Sequence, residues 1–221
     1  MLVKDSLYSF PWTNMMVNNC NSYFIDGETP TLIDPGLMGY KEELFKRMSA
    51  DGLDPQKIQL IITTHLHPDH CGGILDFDLN KIRLALSREE EEFFKEVGPK
   101  FFQMFGMEIP ELKVDFYLQE GELKIGDETL YVYITPGHSP GSASLYWPKH
   151  KALICGDLIF FQGVGRVDFP GGDGRLLIQS IERLSKLNIE YLLPGHGEVI
   201  VGKENIEENF RYIREFYYNY L

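Results

Sequence analysis

The chain has 221 residues, 43% hydrophobic and 24% charged, an ordinary globular composition with enough length to bury a full core. A formal charge of −12 is the wrong sign for holding a phosphate backbone, so nucleic acid is not an expected partner. Cys20, Cys71 and Cys155 are scattered with no CxxC pair, the N-terminus lacks a signal-peptide pattern, and no apolar run reaches ~18 residues, so the expectation is one cytoplasmic domain with free thiols and no membrane partner.

Residues 6–34 read as strands and turns, with Thr31-Leu32-Ile33 ending in Asp34-Pro35-Gly36. A carboxylate at such a strand end is expected to take backbone hydrogen bonds rather than ligate. Leu44, Phe45 and Met48 recur at helical spacing and predict a helix over 40–50, stopped by Asp51-Gly52. The apolar run 58–62 reads as a buried strand. It delivers Thr64-His65-Leu66-His67-Pro68-Asp69-His70-Cys71-Gly72-Gly73, with three imidazoles and a carboxylate inside six residues. Imidazole nitrogen and carboxylate oxygen suit zinc, iron or manganese, and strand ends are where open α/β sheets bind ligands. His65 and His67 can face one centre, Asp69 and His70 a second.

A short helix is expected from Gly72, then a strand over 82–86. Ser87 with Glu90 three residues on makes a capping-box pair that opens a helix. The stretch 88–112 is crowded with Phe93, Phe94, Phe101, Phe102, Phe105, Met104 and Met107, and Gly98-Pro99 is expected to break it. It reads as an insertion: either a helix pair buried on its own core, or a lid or homodimer face that supplies an apolar pocket wall. Strands over 114–118, 122–125 and 129–134 follow, the last leading to Pro136-Gly137-His138. Strands over 142–147 and 151–155 flank a turn in which His150 reads as solvated, and the second ends in Gly156-Asp157. A glycine-rich loop over 163–174 leads to a helix over 176–187, and the strand 191–193 ends in Pro194-Gly195-His196-Gly197. A helix over 203–221, with an aromatic stripe of Phe210, Phe216, Tyr217 and Tyr220, closes the chain.

Five of the six histidines thus sit at strand ends beside other ligand types, two of them in Pro-Gly-His, where glycine lets the backbone turn tightly and the ring project. In this order the residues resemble the metallo-β-lactamase superfamily, and within it the glyoxalase II (hydroxyacylglutathione hydrolase) group, over 19–197. The resemblance implies an α/β fold, an αββα sandwich of two mixed β-sheets flanked by helices, with metals along one edge. It implies two divalent metal ions, zinc first with iron or manganese as alternatives. His65, His67 and His138 would hold one, Asp69, His70 and His196 the other, and Asp157 would bridge them. The implied reaction is attack of a metal-bridging hydroxide on the carbonyl of a small thioester or ester, with Asp69 as the catalytic residue that orients it.

Asp157 sets this pattern apart from antibiotic-hydrolysing members of the superfamily, which do not use a bridging aspartate there. His67 sets it apart from the redox diiron members, which carry a glutamate. The chain also departs from glyoxalase II. Where that group holds glutathione with a lysine and a tyrosine, this loop reads Gly165-Arg166-Val167-Asp168-Phe169, with Asp168 in the tyrosine's place. Arg166 and Phe160 are the substrate-binding candidates, although Arg166 and Asp173 are also read as braces of the loop. The same residues are compatible with a persulfide dioxygenase, which by resemblance would use a single iron on His65, His138 and Asp157, and with a lactonase whose acyl pocket is lined by residues 93–107.

Overall fold

The computed structural model describes residues 1–14 and 16–221. In the first half, β1 (Leu2–Lys4), β2 (Leu7–Phe10), β3 (Ser22–Ile25), β4 (Thr31–Ile33), β5 (Leu60–Ile62), β6 (Arg83–Ser87) and β7 (Phe116–Leu118) form one sheet in sequential order. Pairing is antiparallel from β1 to β4 and parallel from β4 to β7. The crossovers carry α1 (Lys41–Ala50), the short α2 (Pro68–Cys71) and α3 (Arg88–Met104). The second half contributes β8 (Gly121–Ile125), β9 (Glu128–Ile134), β10 (Ala143–Trp147), β11 (Ala152–Gly156), β12 (Ile159–Phe160), β13 (Gly163–Val164), α4 (Gly174–Leu184), β14 (Tyr191–Pro194), β15 (Ile200–Val201) and α5 (Lys203–Phe216). Its sheet runs β15-β14-β11-β10-β9-β8, with β11 and β14 parallel and the other pairs antiparallel, while β12 and β13 form a separate ribbon.

Side-chain alternation sorts these strands into layers. Tyr23 and Ile25 of β3 enter a core shared with Leu130 and Val132 of β9 and Trp147 of β10, which lies between the sheets. Phe24, one residue out of phase, joins Leu44 and Met48 of α1 and Phe94 and Phe102 of α3 on the outer face of the first sheet. Leu153 and Leu192 meet Leu177, Ile181 and Leu184 of α4 and Ile206, Phe210 and Ile213 of α5 on the outer face of the second. Those helical residues recur at three- and four-residue spacing, which is why one stripe of each helix is buried. Helix, sheet, sheet, helix is the resulting order. No helix among the described residues is long and apolar enough to cross a membrane.

Three local expectations are corrected. Gly98-Pro99 does not break the aromatic stretch, because α3 runs unbroken from Arg88 to Met104 with Pro99 inside it. A Cβ at position 98 would lie 2.4 Å from the Phe94 ring, so Gly98 makes room for Phe94 to pack, and burial of Phe94 and Phe102 against the sheet offsets the cost of an interior proline. His150 is not solvated. Its ring lies edge-on to Trp147 at 4.3 Å and its Nδ1 is 3.2 Å from Asp5 Oδ2, since the β1–β2 turn folds over it. The last helix stops at Phe216, and its aromatic stripe splits: Phe210 is core, whereas Phe216 and Tyr220 are exposed.

Candidate metal centre

The two sheets are sutured along one edge, and the histidine-bearing loops leave from that edge. Asn21 Nδ2 donates to the carbonyls of Pro194 at 3.0 Å and Gly197 at 2.9 Å, Tyr23 Oη donates to Pro194 O at 2.6 Å, and Ala143 N donates to Thr64 O at 2.8 Å. The chain therefore emerges from β5, β9, β11 and β14 with four turns facing one another. His65 and His67 follow β5. Pro68 opens α2 at its first position, where a missing N–H costs nothing, and α2 presents Asp69 and His70. His138 follows β9, Asp157 follows β11, and His196 follows β14.

These loops bring all seven predicted ligands together. Donor atoms of His65, His67 and His138 lie within 4.8 Å of one another, as do those of Asp69, His70 and His196, and those of His65, His70 and Asp157. Asp157 stands between the triplets: Oδ1 is 3.1 Å from His70 Nε2, and Oδ2 is 3.5 Å from both His138 Nε2 and His196 Nε2. Asp69 Oδ2 is 3.2 Å from His196 Nε2 and accepts from Asn18 Nδ2 at 2.9 Å. Glycine is required where the loops close on these groups. A Cβ at position 195 would fall 2.1 Å from Asp157 Oδ1 and 2.7 Å from His70 Cε1.

The donor set fits divalent metal. His65 Nε2, His138 Nε2 and Asp157 Oδ1 are buried without a hydrogen-bond partner, a costly arrangement that a cation between them would relieve. Two rings are held by their far nitrogens. His138 Nδ1 lies 2.7 Å from Arg166 O, a pure acceptor, so Nδ1 carries the proton and Nε2 keeps its lone pair for the centre. His70 Nδ1 lies 2.9 Å from Asp34 Oδ2, and Asp34 also accepts from Thr64 N and Thr64 Oγ1, both at 2.7 Å. Asp34, turned into the left-handed region at φ 54°, thus aims His70 from outside the cluster.

Electrostatics divides the histidines. Burial, with His138 beside it, pushes His67 down to about 3, and burial with three neighbouring imidazoles pushes His65 well below its ordinary value. Burial also opposes charge on His196 and His70, but their neighbours overturn it: Asp157 and Asp69 lift His196 to about 9, and Cys20, Asp157 and Asp34 raise His70 well above the usual range. A metal-free chain near neutral pH therefore carries His196 protonated, and that proton must leave before Nε2 can ligate. Because the free-state pKa is raised, affinity for metal increases as pH rises towards that value and levels off above it. Zinc titration of chelated protein at about pH 7 is expected to release at least one proton per chain, with affinity rising up to tenfold per pH unit for each proton released. Calorimetry in buffers of different ionisation enthalpy measures the proton count, and an affinity flat between about pH 6.5 and 8.5 would contradict this assignment.

A cleft of about 490 Å³ opens onto the cluster, lined by Phe101, Phe105, Phe160, Val164, Asn18 and Leu37 besides the cluster itself. Phe160 meets the His196 ring edge-on at 5.9 Å. Arg166 lies at the rim with its guanidinium forked onto Asp168, Nε to Oδ1 at 2.7 Å and Nη2 to Oδ2 at 2.6 Å, and stacked 3.6 Å from the Phe169 ring. Asp173 caps α4 by accepting from Leu176 N. Sequence reasoning missed Asn18, Phe169 and above all Glu90. Instead of completing a capping box, the Glu90 carboxylate turns inward to Leu66 N, Gly141 N and Ser139 Oγ, tying the His65–His67 loop to the loop that follows His138. In sequence it stands as the second of four consecutive acidic residues, Glu89 to Glu92, at a helix start, where it reads only as the partner of Ser87.

The Metallo-beta-lactamase superfamily profile matches residues 15–196. A probable metallo-hydrolase of Methanocaldococcus jannaschii is 35% identical over 81% of this chain and 88% of its own length. The hydroxyacylglutathione hydrolase GloC of Haemophilus influenzae is 32% identical over 87% of this chain and 92% of its own. Among solved structures, the BLEG-1 B3 metallo-beta-lactamase superposes with a TM-score of 0.75 at 30% identity, covering 91% of this chain and 95% of that one. TTHA1623 in a di-iron-bound form gives 0.73 at 29%, covering 91% and 96%. With its αββα layers, its edge cluster of histidines and aspartates, and these matches, the chain belongs to the metallo-beta-lactamase superfamily.

Proposed function

We propose that this chain is a binuclear metal-dependent hydrolase of a small thioester or ester, of the glyoxalase II kind. The observation that carries the reading is Asp157, whose two oxygens face His70 on one side and His138 and His196 on the other, joining two ligand triplets at the floor of the cleft. His65, His67 and His138 would hold one ion, Asp69, His70 and His196 the second, with Asp157 shared. Metals so held lower the pKa of bound water towards neutrality and polarise a carbonyl. The chain's own groups do the rest. Asp69, whose Oδ2 accepts from Asn18 and lies beside His196, would orient the nucleophile. Phe101 and Phe160 set apolar surface against the His67 and His196 rings. Arg166 O and Asp34 hold His138 and His70 in the tautomer that leaves Nε2 free.

Protein purified without added metal is expected to contain about two metal ions per chain, zinc or a zinc–iron mixture, and to hydrolyse members of a panel of thioesters, esters and lactones. TTHA1623, crystallised with two irons, makes iron a metal to assay, and BLEG-1 adds a β-lactam to the panel. One iron per chain with persulfide-dependent oxygen uptake, and no ester or thioester turnover, would replace the hydrolase reading with the dioxygenase one.

A further inference from the structure

The cleft is walled on its α3 side by aromatic rings that reach the ligands themselves. Phe101 stacks on the His67 ring at 4.9 Å with 22° between planes, and it meets Phe105 at 5.4 Å and Phe169 at 5.0 Å. Phe160 and Val164 also line the cleft. Among the described lining residues the only Lys or Arg is Arg166, whose Nε and Nη2 are paired with Asp168 while its face lies on Phe169. A tripeptide thiol with two carboxylates would find a single guanidinium here, its charge already paired with Asp168. An alkyl or aryl chain would find an apolar wall starting at the first ligand.

Resting on the hydrolase reading above, we propose that the substrate is a thioester or ester with an uncharged aliphatic or aryl acyl chain that lies against Phe101, Phe105 and Phe169, and not a glutathione conjugate. Apolar pockets of this size take small ligands by burying most of their surface, and each buried methylene tightens binding about fourfold at full burial. Phe105, at 48% exposed, forms the outer end of the wall and can be truncated without opening the core.

The test separates binding from turnover. Calorimetric dissociation constants are measured for acetohydroxamate, hexanohydroxamate and octanohydroxamate on the zinc-loaded protein. Affinity is expected to rise at least tenfold from the first to the last, and Phe105→Ala is expected to flatten the gain between the last two. Chain-length-independent binding overturns the proposal. In parallel, kcat/KM is compared for the hexanoyl thioester of a small neutral thiol and for S-lactoylglutathione. A tenfold or greater preference for the first is expected. A preference for S-lactoylglutathione overturns the proposal and leaves the hydrolase reading intact. Chain-length-dependent hydroxamate binding without turnover of any thioester or ester sustains the pocket assignment and removes the hydrolase reading.

Discussion

Asp157→Ala is expected to lower kcat/KM on any ester or thioester the protein hydrolyses by about a thousandfold or more, and to reduce metal content below two per chain. The size of the effect follows from where the carboxylate lies. Burial would lift it, but His70 and His196 hold it well below the usual carboxylate range, so it is an anion wherever the fold survives. It is also the one carboxylate that faces both triplets. On the proposed reading its removal would delete a ligand from each side at once; His70 would keep Asp34 and His196 would keep Asp69, but His138 would lose the carboxylate beside its Nε2. Breaking a buried charge cluster on one side costs about 3–5 kcal/mol, and every 1.36 kcal/mol lost at the transition state is tenfold in rate. Asp157→Asn keeps the shape and an oxygen but not the charge, and is expected to fall between alanine and wild type. Elemental analysis and kcat/KM on the same preparations, with circular dichroism to verify the fold, read this out. An alanine variant with two metals and activity within tenfold of wild type would sink the bridging role.

How much of this was legible beforehand depended on whether the signal was local. The gathering of these seven histidines and aspartates at one edge could be read because each follows an apolar strand, and strand ends with glycine or proline announce themselves in a few residues. The strand around Tyr23 to Ile25 and the helix over 176–187 could be read as elements from local pattern, whereas the order of the layers was implied by the family resemblance alone. His150 and the α3 segment misled for the opposite reason. A histidine in a Pro-Lys-His-Lys turn looks solvated until Asp5, far away in sequence, folds over it. Gly98-Pro99 looks like a helix stop until the Phe94 ring is seen to occupy the space a side chain at position 98 would take. The support of the site is non-local in the same way. Asp34 reaches His70 across 36 positions and Glu90 reaches Gly141 across 51, and no window of sequence shows either pairing.

Glu90→Ala is expected to destabilise the fold by about 3–5 kcal/mol and to weaken metal binding by roughly tenfold to a hundredfold, although Glu90 ligates nothing. Its carboxylate is buried and accepts from Leu66 N at 2.9 Å, Gly141 N at 2.9 Å and Ser139 Oγ at 2.5–2.6 Å. Burial pushes its carboxyl above the ordinary range while those three donors pull the other way. Alanine strands all three donors away from water, at about 1–3 kcal/mol for each buried group left unpaired. It also releases Leu66, which lies between His65 and His67, from the loop that carries Ser139, the neighbour of His138. The first triplet is therefore assembled by two loops that Glu90 holds at a fixed separation. Glu90→Gln distinguishes this bracing from a need for charge. Its amide oxygen still accepts from one backbone N–H, its NH2 can donate to Ser139 Oγ, and the charge that burial opposes is gone. The same NH2 faces the other backbone N–H, of Leu66 or Gly141, donor against donor, so the glutamine variant is expected to lose part of the stability and metal affinity and to fall between alanine and wild type. Chemical denaturation gives the stability and zinc competition the affinity, both on protein stripped and reloaded in parallel. If the alanine variant loses stability but binds zinc as wild type does, Glu90 braces the fold alone and the coupling between the two histidine loops is wrong.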